Sequence, residues 1–209
     1  MYDPKAPFGE LAENAKIPGV KQRFPDRVLI MTTERCFSSC PHCTRKWILG
    51  RSPVLKSSED LVRALDYVRR HRKIRDVLLS GGDVLTLSDG KVMRLVDAFA
   101  ALEQVKIVRI CTRALVSKPE RITDRLARRL ASSGKVWVNV HINTAREAGI
   151  ARAPAAKLIN RGIPVSSQTV LLKGVNDSPV KMLSLLRELS AMKAKYDRVA
   201  EALADVNEK

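Results

Sequence analysis

Residues 27–43 read RVLIMTTERCFSSCPHC, an apolar run that is followed closely by three cysteines. The run Arg27–Thr33 has aliphatic and β-branched residues on consecutive positions, which is typical of a strand buried on both faces. Cys36, Cys40 and Cys43 then share one loop, with three and two residues between them. Ligand sites in parallel α/β folds lie at the carboxyl ends of strands, so this loop is a candidate metal site.

Four more apolar runs predict strands at Asp76–Ser80, Val105–Cys111, Val136–Ile142 and Pro164–Leu172. Helical patterns lie between and after the strands, and they are Ser57–Arg72, Asp89–Glu103, Asp124–Ser132, Ala151–Arg161 and a last helix from Ser178–Pro179 almost to Lys209. Five repeats of strand then helix indicate a parallel sheet with right-handed crossovers. The period alone leaves open whether the sheet is doubly wound or an unclosed section of a barrel.

This order predicts three parts: an extended arm over residues 1–26, a core domain over 27–178 and a C-terminal helix over 179–209. The 209 residues, 45% of them hydrophobic, suffice for one sizeable core. The last helix carries an apolar heptad seam, formed by Leu185, Leu189, Met192, Tyr196, Val199, Leu203 and Val206. Because such a seam needs covering, we expect a homodimer through this helix, with a helix folded back on its own core as the alternative.

The formal net charge is +16, which attracts anionic partners such as nucleic acid. Aromatic residues make up only 4% and are not interleaved with the basic runs, as a single-strand binder requires. We therefore favour an ordinary basic surface and keep a metal-stabilised nucleic-acid-binding module without catalysis as the alternative function. No stretch approaches the ~20 apolar residues of a membrane span, and residues 1–26 lack the apolar core of a secretory signal. A cytoplasmic protein is expected, in which the four cysteines do not form disulfides.

The three clustered cysteines favour an iron–sulfur cluster. A [4Fe–4S] cluster takes four ligands, so three cysteines leave one iron open for a small molecule. A structural zinc ion needs four protein ligands, usually as two separated pairs. The nearest fourth ligand here is His42, directly beside Cys43, and Cys111 could serve only if the fold brings it close. Three incidental buried cysteines are the remaining interpretation.

Other polar residues lie at predicted strand ends. Ser80-Gly81-Gly82-Asp83 ends the second strand, where two glycines would let the backbone approach a ligand and Asp83 would balance an ammonium group. His141 ends the fourth strand and Arg113 follows the third. Gln168 lies within the fifth strand, and we expect its side chain to point inward, where a buried amide needs a polar partner.

The pattern CxxxCxxC after a first strand resembles the signature of the radical S-adenosylmethionine superfamily. The flanking segments are similar to the lysine 2,3-aminomutase family over roughly residues 18–190. They are Arg23–Val28 (RFPDRV), His42–Arg45 (HCTR), Asp76–Asp83 (DVLLSGGD) and Val170–Asp177 (VLLKGVND).

This resemblance implies a partial parallel barrel of the (βα)5 type with a [4Fe–4S] cluster on Cys36, Cys40 and Cys43. It also implies a reduced cluster that splits S-adenosylmethionine, so that a 5′-deoxyadenosyl radical takes hydrogen from an amino acid or aminoacyl substrate. A flavodoxin or ferredoxin would be the electron donor.

The resemblance also suggests roles for individual residues. The residues assigned to S-adenosylmethionine are His42, Ser80, Gly81, Gly82, Asp83, Arg113, His141 and Gln168. Arg45 would hold the substrate carboxylate. Arg23 and Arg27 would hold the phosphate of pyridoxal phosphate.

The sequence departs from the family after its fifth predicted strand. No glycine follows Gly174, so the glycine-rich segment that carries the Schiff-base lysine of the aminomutases has no counterpart. A sixth barrel strand is not predicted either, and Pro41 stands where a basic residue is common. We therefore expect a chain truncated relative to the family, a minimal member with another reaction or an incomplete enzyme, without lysine 2,3-aminomutase activity of normal rate.

Overall fold

The computed structural model describes residues 17–43 and 54–192, and its strands form one six-stranded sheet in chain order. The strands are β1 (Val20–Phe24), β2 (Arg27–Thr33), β3 (Asp76–Gly81), β4 (Ile107–Thr112), β5 (Val136–His141) and β6 (Val165–Gln168). Strands β2 to β6 are parallel, and β1 runs antiparallel to β2. All five predicted strands are confirmed. The prediction of an arm over residues 1–26 missed β1.

Helices connect the parallel strands. They are α1 (Ser58–Arg70), α2 (Asp89–Ala100), α3 (Ala114–Ser117), α4 (Asp124–Ala131), α5 (Ala145–Ile159) and α6 (Pro179–Ala191). Helix α5 begins six residues before its predicted start, because Thr144 caps it by accepting a hydrogen bond from the Glu147 N–H. The predicted continuation of α6 toward Lys209 lies largely outside the described residues.

The sheet has two unlike faces. On β4 and β5 the alternate residues Val108, Ile110, Val138 and Val140 are almost fully buried in one apolar core that also contains residues of α1, α2, α4 and α5. The residues between them are only half-buried and include Arg109, Cys111, Asn139 and His141. Burial on both faces, as consecutive apolar residues predicted, is therefore wrong for these strands. We call the second face the polar face.

The structure establishes an α/β fold with a mostly parallel sheet, while closure into a partial barrel stays a prediction. Among the described helices, none combines the length and apolar character needed to cross a membrane.

Candidate metal and cofactor site

A cavity of about 300 Å³ opens at the carboxyl ends of the parallel strands. The sequence-predicted residues that line it are Cys36, Cys40, His42, Cys43, Ser80, Gly81, Gly82, Asp83, Arg113, His141 and Gln168. They come from β3, β5, β6 and the segments that follow β2, β3 and β4. The predicted juxtaposition of the cysteine loop with the other strand ends is thus present in the structure.

The cysteine loop, residues 36–43, is compact. The Cys43 N–H donates to the Cys40 carbonyl oxygen at 3.0 Å, which closes a turn around His42. Cys36 is exposed, yet the protein atoms around its thiol and the negative charge of Asp83 raise the pKa of that thiol. The raised pKa disfavours the thiolate form of Cys36. Because a metal deprotonates the thiols that coordinate it, bound iron would offset this effect.

The donor chemistry fits an iron–sulfur cluster. Within residues 17–43 and 54–192, no three His, Cys, Asp or Glu side chains converge on one point as a single metal ion requires. A cubane cluster does not require three side chains to meet at one point, since each thiolate binds a different iron. The three thiols of the loop face one cavity and would be the protein ligands.

The two glycines at the end of β3, Gly81 and Gly82, let another stretch of protein backbone approach closely. Gly81 has φ +116°, and a Cβ atom there would lie 2.4 Å from the Thr33 carbonyl oxygen. A Cβ atom on Gly82 would lie 2.2 Å from the carbonyl oxygen of Arg35. The Gly82 N–H also donates to the Thr33 carbonyl oxygen at 2.6 Å. The glycines therefore hold the end of β3 against the segment that enters the cysteine loop.

Asp83 is committed to bonds within the protein. Its carboxylate accepts hydrogen bonds from the Leu85 N–H at 3.0 Å, the Thr112 hydroxyl at 2.7 Å and the Arg113 N–H at 2.8 Å. Burial raises the pKa of this carboxyl, although the three donors oppose the shift. Asp83 thus ties the end of β3 to the end of β4, and its role in balancing a ligand ammonium group stays a prediction.

Arg113 is held by partners that the sequence did not predict. Its guanidinium forms an ion pair of 2.6 Å with Glu147 and donates to the His141 carbonyl oxygen at 3.2 Å. Glu147 in turn accepts from the Asn143 N–H at 2.7 Å. The spacing of Thr144 and Glu147, as in a capping box, could have indicated this helix start.

Two histidines form one wall of the cavity. The rings of His42 and His141 meet edge to face with their centroids 4.9 Å apart. The His141 Nε2 atom is buried and has no hydrogen-bond partner in the described parts of the chain. Burial, with the nearby His42 and Arg113, lowers the pKa of His141 to about 4, so the ring is neutral at pH 7. An unpaired buried nitrogen in this wall fits a polar ligand.

Gln168 differs from its predicted placement. The side chain is exposed, so the expectation of a buried amide is wrong. The short strand β6 ends at this residue, directly beside His141 in the register, and leaves it at the cavity margin.

Three further residues were predicted for the site, and they are Arg45, Arg23 and Arg27. Arg45 lies outside the described residues. Arg23 and Arg27 are not among the residues that line the cavity. Arg27 begins β2, about 20 Å from the strand's other end, and is paired with Asp26 at 3.0 Å. Both guanidinium groups lie over the ring of Phe24.

The polar face continues from the cavity toward the amino ends of the strands. Arg109 on β4 forms an ion pair of 2.5 Å with Asp76 on β3 and lies over the ring of Trp137 on β5. The Arg109 guanidinium also donates to the Asn139 side-chain oxygen at 3.3 Å. Polar side chains therefore link three strands on this face.

Residues 30–186 match the model of the Radical SAM superfamily, so the chain belongs to that superfamily. It is 42% identical to a putative L-lysine 2,3-aminomutase from Aquifex aeolicus, over 88% of this chain and 50% of that protein. It is 36% identical to an L-lysine 2,3-aminomutase from Fusobacterium nucleatum, over 88% of this chain and 43% of that protein. Against a glutamate 2,3-aminomutase from Clostridioides difficile the identity is also 36%, over 84% and 42%. The chain spans half or less of the length of these relatives.

Proposed function

We propose that the chain binds a [4Fe–4S] cluster through Cys36, Cys40 and Cys43 and binds S-adenosylmethionine beside it. The observation that carries the proposal is the single cavity that these cysteines share with the unpaired Nε2 of His141. When bound, the two groups supply one-electron reduction and a radical that abstracts hydrogen from an amino acid or aminoacyl substrate.

The protein's own contribution is to position these groups. Asp83 and the Gly81-Gly82 segment fix the ends of β3 and β4 against the cysteine loop. His141 offers a ring nitrogen in the cavity wall, and the side chains of Leu29, Leu78 and Val170 line other parts of the cavity. An apolar lining of this kind limits the access of water to a reactive intermediate.

The choice of substrate rests on the relatives, which are named as lysine and glutamate aminomutases. Arg45 would hold the substrate carboxylate.

Pyridoxal phosphate remains a prediction based on Arg23 and Arg27, and the residues on the cavity wall give it no further support. The partial barrel, the long C-terminal helix, a homodimer, a flavodoxin or ferredoxin donor and a cytoplasmic location belong to the same proposal.

Anaerobic reconstitution with iron and sulfide tests the proposal. We expect about four irons per chain and an EPR signal of the reduced cluster that changes when S-adenosylmethionine is added. With dithionite, the protein should release 5′-deoxyadenosine slowly even without substrate. Stoichiometric zinc without iron uptake, together with salt-sensitive nucleic-acid binding, would instead establish the nucleic-acid-binding module.

A further inference from the structure

Asn143 lies two residues after β5 and connects this strand end to the cysteine loop, the first turn of α5 and the loop after β6. The side chain is buried, and the residue as a whole is 2% exposed. Its backbone N–H donates to Glu147 at 2.7 Å, and its backbone carbonyl accepts from the Asn176 side chain at 2.9 Å. Its side-chain amide contacts the Val170 N–H and the ring of His42. None of these contacts was anticipated from the sequence.

The partners of the amide decide which end faces His42. The Val170 N–H can only donate, so the atom 2.9 Å from it is the Asn143 oxygen Oδ1. The amide nitrogen Nδ2 therefore faces the His42 Nε2 atom at 3.1 Å. Because Nδ2 can only donate, Nε2 must accept, and the single ring hydrogen of neutral His42 lies on Nδ1.

We propose that Asn143 is a positioning residue that holds His42 in the Nδ1–H tautomer and fixes its ring beside His141. His42 lies between Cys40 and Cys43, so the same hydrogen bond connects the cysteine loop to the end of β5. The tautomer follows from the geometry of the chain alone. Its consequence for S-adenosylmethionine binding rests on the proposed function.

The contact between the two histidine rings links Asn143, which holds His42, to His141 in the cavity wall. The edge of one ring meets the face of the other, so rotation of the His42 ring would remove a support of His141. His141 lines the cavity, and its buried Nε2 atom has no hydrogen-bond partner among the residues that the structure describes. Loss of the Asn143 donor should therefore weaken ligand binding more than it weakens cluster assembly.

Asn143→Asp is the most selective test. The carboxylate retains an oxygen for the Val170 N–H, and the backbone contacts to Glu147 and Asn176 remain. Its second oxygen can only accept, so Nε2 of His42 would have to carry the hydrogen. Asn143→Ala, which adds no charge, is the second variant and should leave both tautomers populated.

Asn176→Asp is the matched control. Asn176 is another asparagine of the same network and is 1% exposed. Its side-chain nitrogen donates to the carbonyl oxygens of Asn143 and Val170, both at 2.9 Å, so the variant loses two donated hydrogen bonds. The hydrogen bonds of this side chain go to the backbone of Asn143 and of the loop that follows β6 and not to His42, so a general loss of packing would appear here as well.

The first readout is the ¹⁵N spectrum of the full chain labelled at histidine, before cluster insertion. The chain has three histidines, and His42→Gln assigns the resonances. His71 is an internal reference, because its Nδ1 lies 2.8 Å from the Tyr67 carbonyl oxygen and must carry a hydrogen. The second readout is S-adenosylmethionine affinity of the reconstituted protein at equal iron content.

We expect Asn143→Asp to place a hydrogen on Nε2 of His42, to leave His71 unchanged and to weaken S-adenosylmethionine binding about tenfold. Asn176→Asp should change neither tautomer. An unchanged His42 resonance in Asn143→Asp, or the same effects in Asn176→Asp, would overturn the inference. If the wild type binds no S-adenosylmethionine, the proposed function fails, while the tautomer of His42 still decides the role of Asn143.

Discussion

At the residue scale, Cys111 lines the same cavity as the three cysteines of the loop but is presented by a different element. It lies in β4, where backbone pairing with Asn139 fixes its position, whereas Cys36, Cys40 and Cys43 share one loop. We expect replacement of any one loop cysteine by Ala to abolish iron binding, because each thiolate would hold its own iron. Cys111→Ala should retain the full iron content. Iron and sulfide analysis after anaerobic reconstitution measures both.

The iron content of Cys111→Ala distinguishes three cysteine ligands from four. Comparable iron loss in Cys111→Ala and Cys40→Ala would show that β4 supplies a ligand. With four cysteine ligands, no iron of the cluster would be left open for a small molecule.

Asp83 gives a second prediction at this scale. In Asp83→Asn an amide NH2 group would replace one oxygen and face backbone or hydroxyl donors. We expect the free energy of unfolding to fall by about 1–3 kcal/mol, because a buried donor loses its acceptor. Urea unfolding of the metal-free chain measures this change. Unchanged stability with weakened S-adenosylmethionine affinity would instead support the role in ligand binding that the sequence suggested.

The sequence indicated candidate site residues where a side chain that can bind a metal or a polar ligand also lies at or just after a predicted strand end. Three cysteines in one loop and polar residues at strand ends predicted the members of the cavity wall. Asn143 and Glu147 were missed because their roles arise from contacts with His42 and Arg113, which are distant in sequence. Gln168 was misplaced because alternation along a strand does not reveal that the strand ends there.

At the scale of elements, the contact between the end of β3 and the cysteine loop depends on the absence of two side chains. Ala at position 81 would combine a strained φ with a Cβ atom 2.4 Å from a carbonyl oxygen. We expect Gly81→Ala to cost about 3 kcal/mol or more and to impair cluster assembly. Gly82→Ala should behave similarly. Thermal and urea unfolding provide the measurement.

Gly149 provides the matched control for these substitutions. It is an exposed residue inside α5, and a Cβ atom there meets nothing within 4 Å. Gly149→Ala should therefore stabilise the protein by about 0.5–1 kcal/mol through helix propensity. Equal tolerance of alanine at positions 81 and 149 would contradict the close approach of β3 to the loop.

Elements with strong apolar patterns were predicted well. Each of the five parallel strands contributes apolar side chains to the core, although β6 contributes only Val165. β1 was missed because its sequence, VKQRF, is mostly polar and its position depends on pairing with β2. The start of α5 was missed because Gly149 weakens the helical pattern before Ala151, whereas packing of Ala148, Ala151 and Ala155 in the core stabilises the helix.

At the scale of the whole molecule, the first residues of the predicted heptad seam pack against the chain's own core. Leu185 is 1% exposed, and Leu189 and Met192 pack partly against the chain's own core. The opposite side of α6 exposes Val180 and Leu183. The observed contacts of α6 thus cover the first seam residues and leave other apolar residues accessible.

Light scattering and unfolding of the intact chain and of a version ending at Ala191 test how the rest of the seam is used. A homodimer through the C-terminal helix should become monomeric on truncation. A helix folded back on its own core should give a monomer that loses stability when shortened. A monomer of unchanged stability would contradict both arrangements.

The exposure of Cys36 has a consequence for handling the protein. A cluster bound there would have one edge within reach of solvent, so an external reductant could approach without rearrangement of the core. Dioxygen would have the same access, and oxidative loss of iron should therefore begin on this side. We expect bleaching in air to outpace unfolding, and S-adenosylmethionine to protect only the edge of the cluster that faces the cavity.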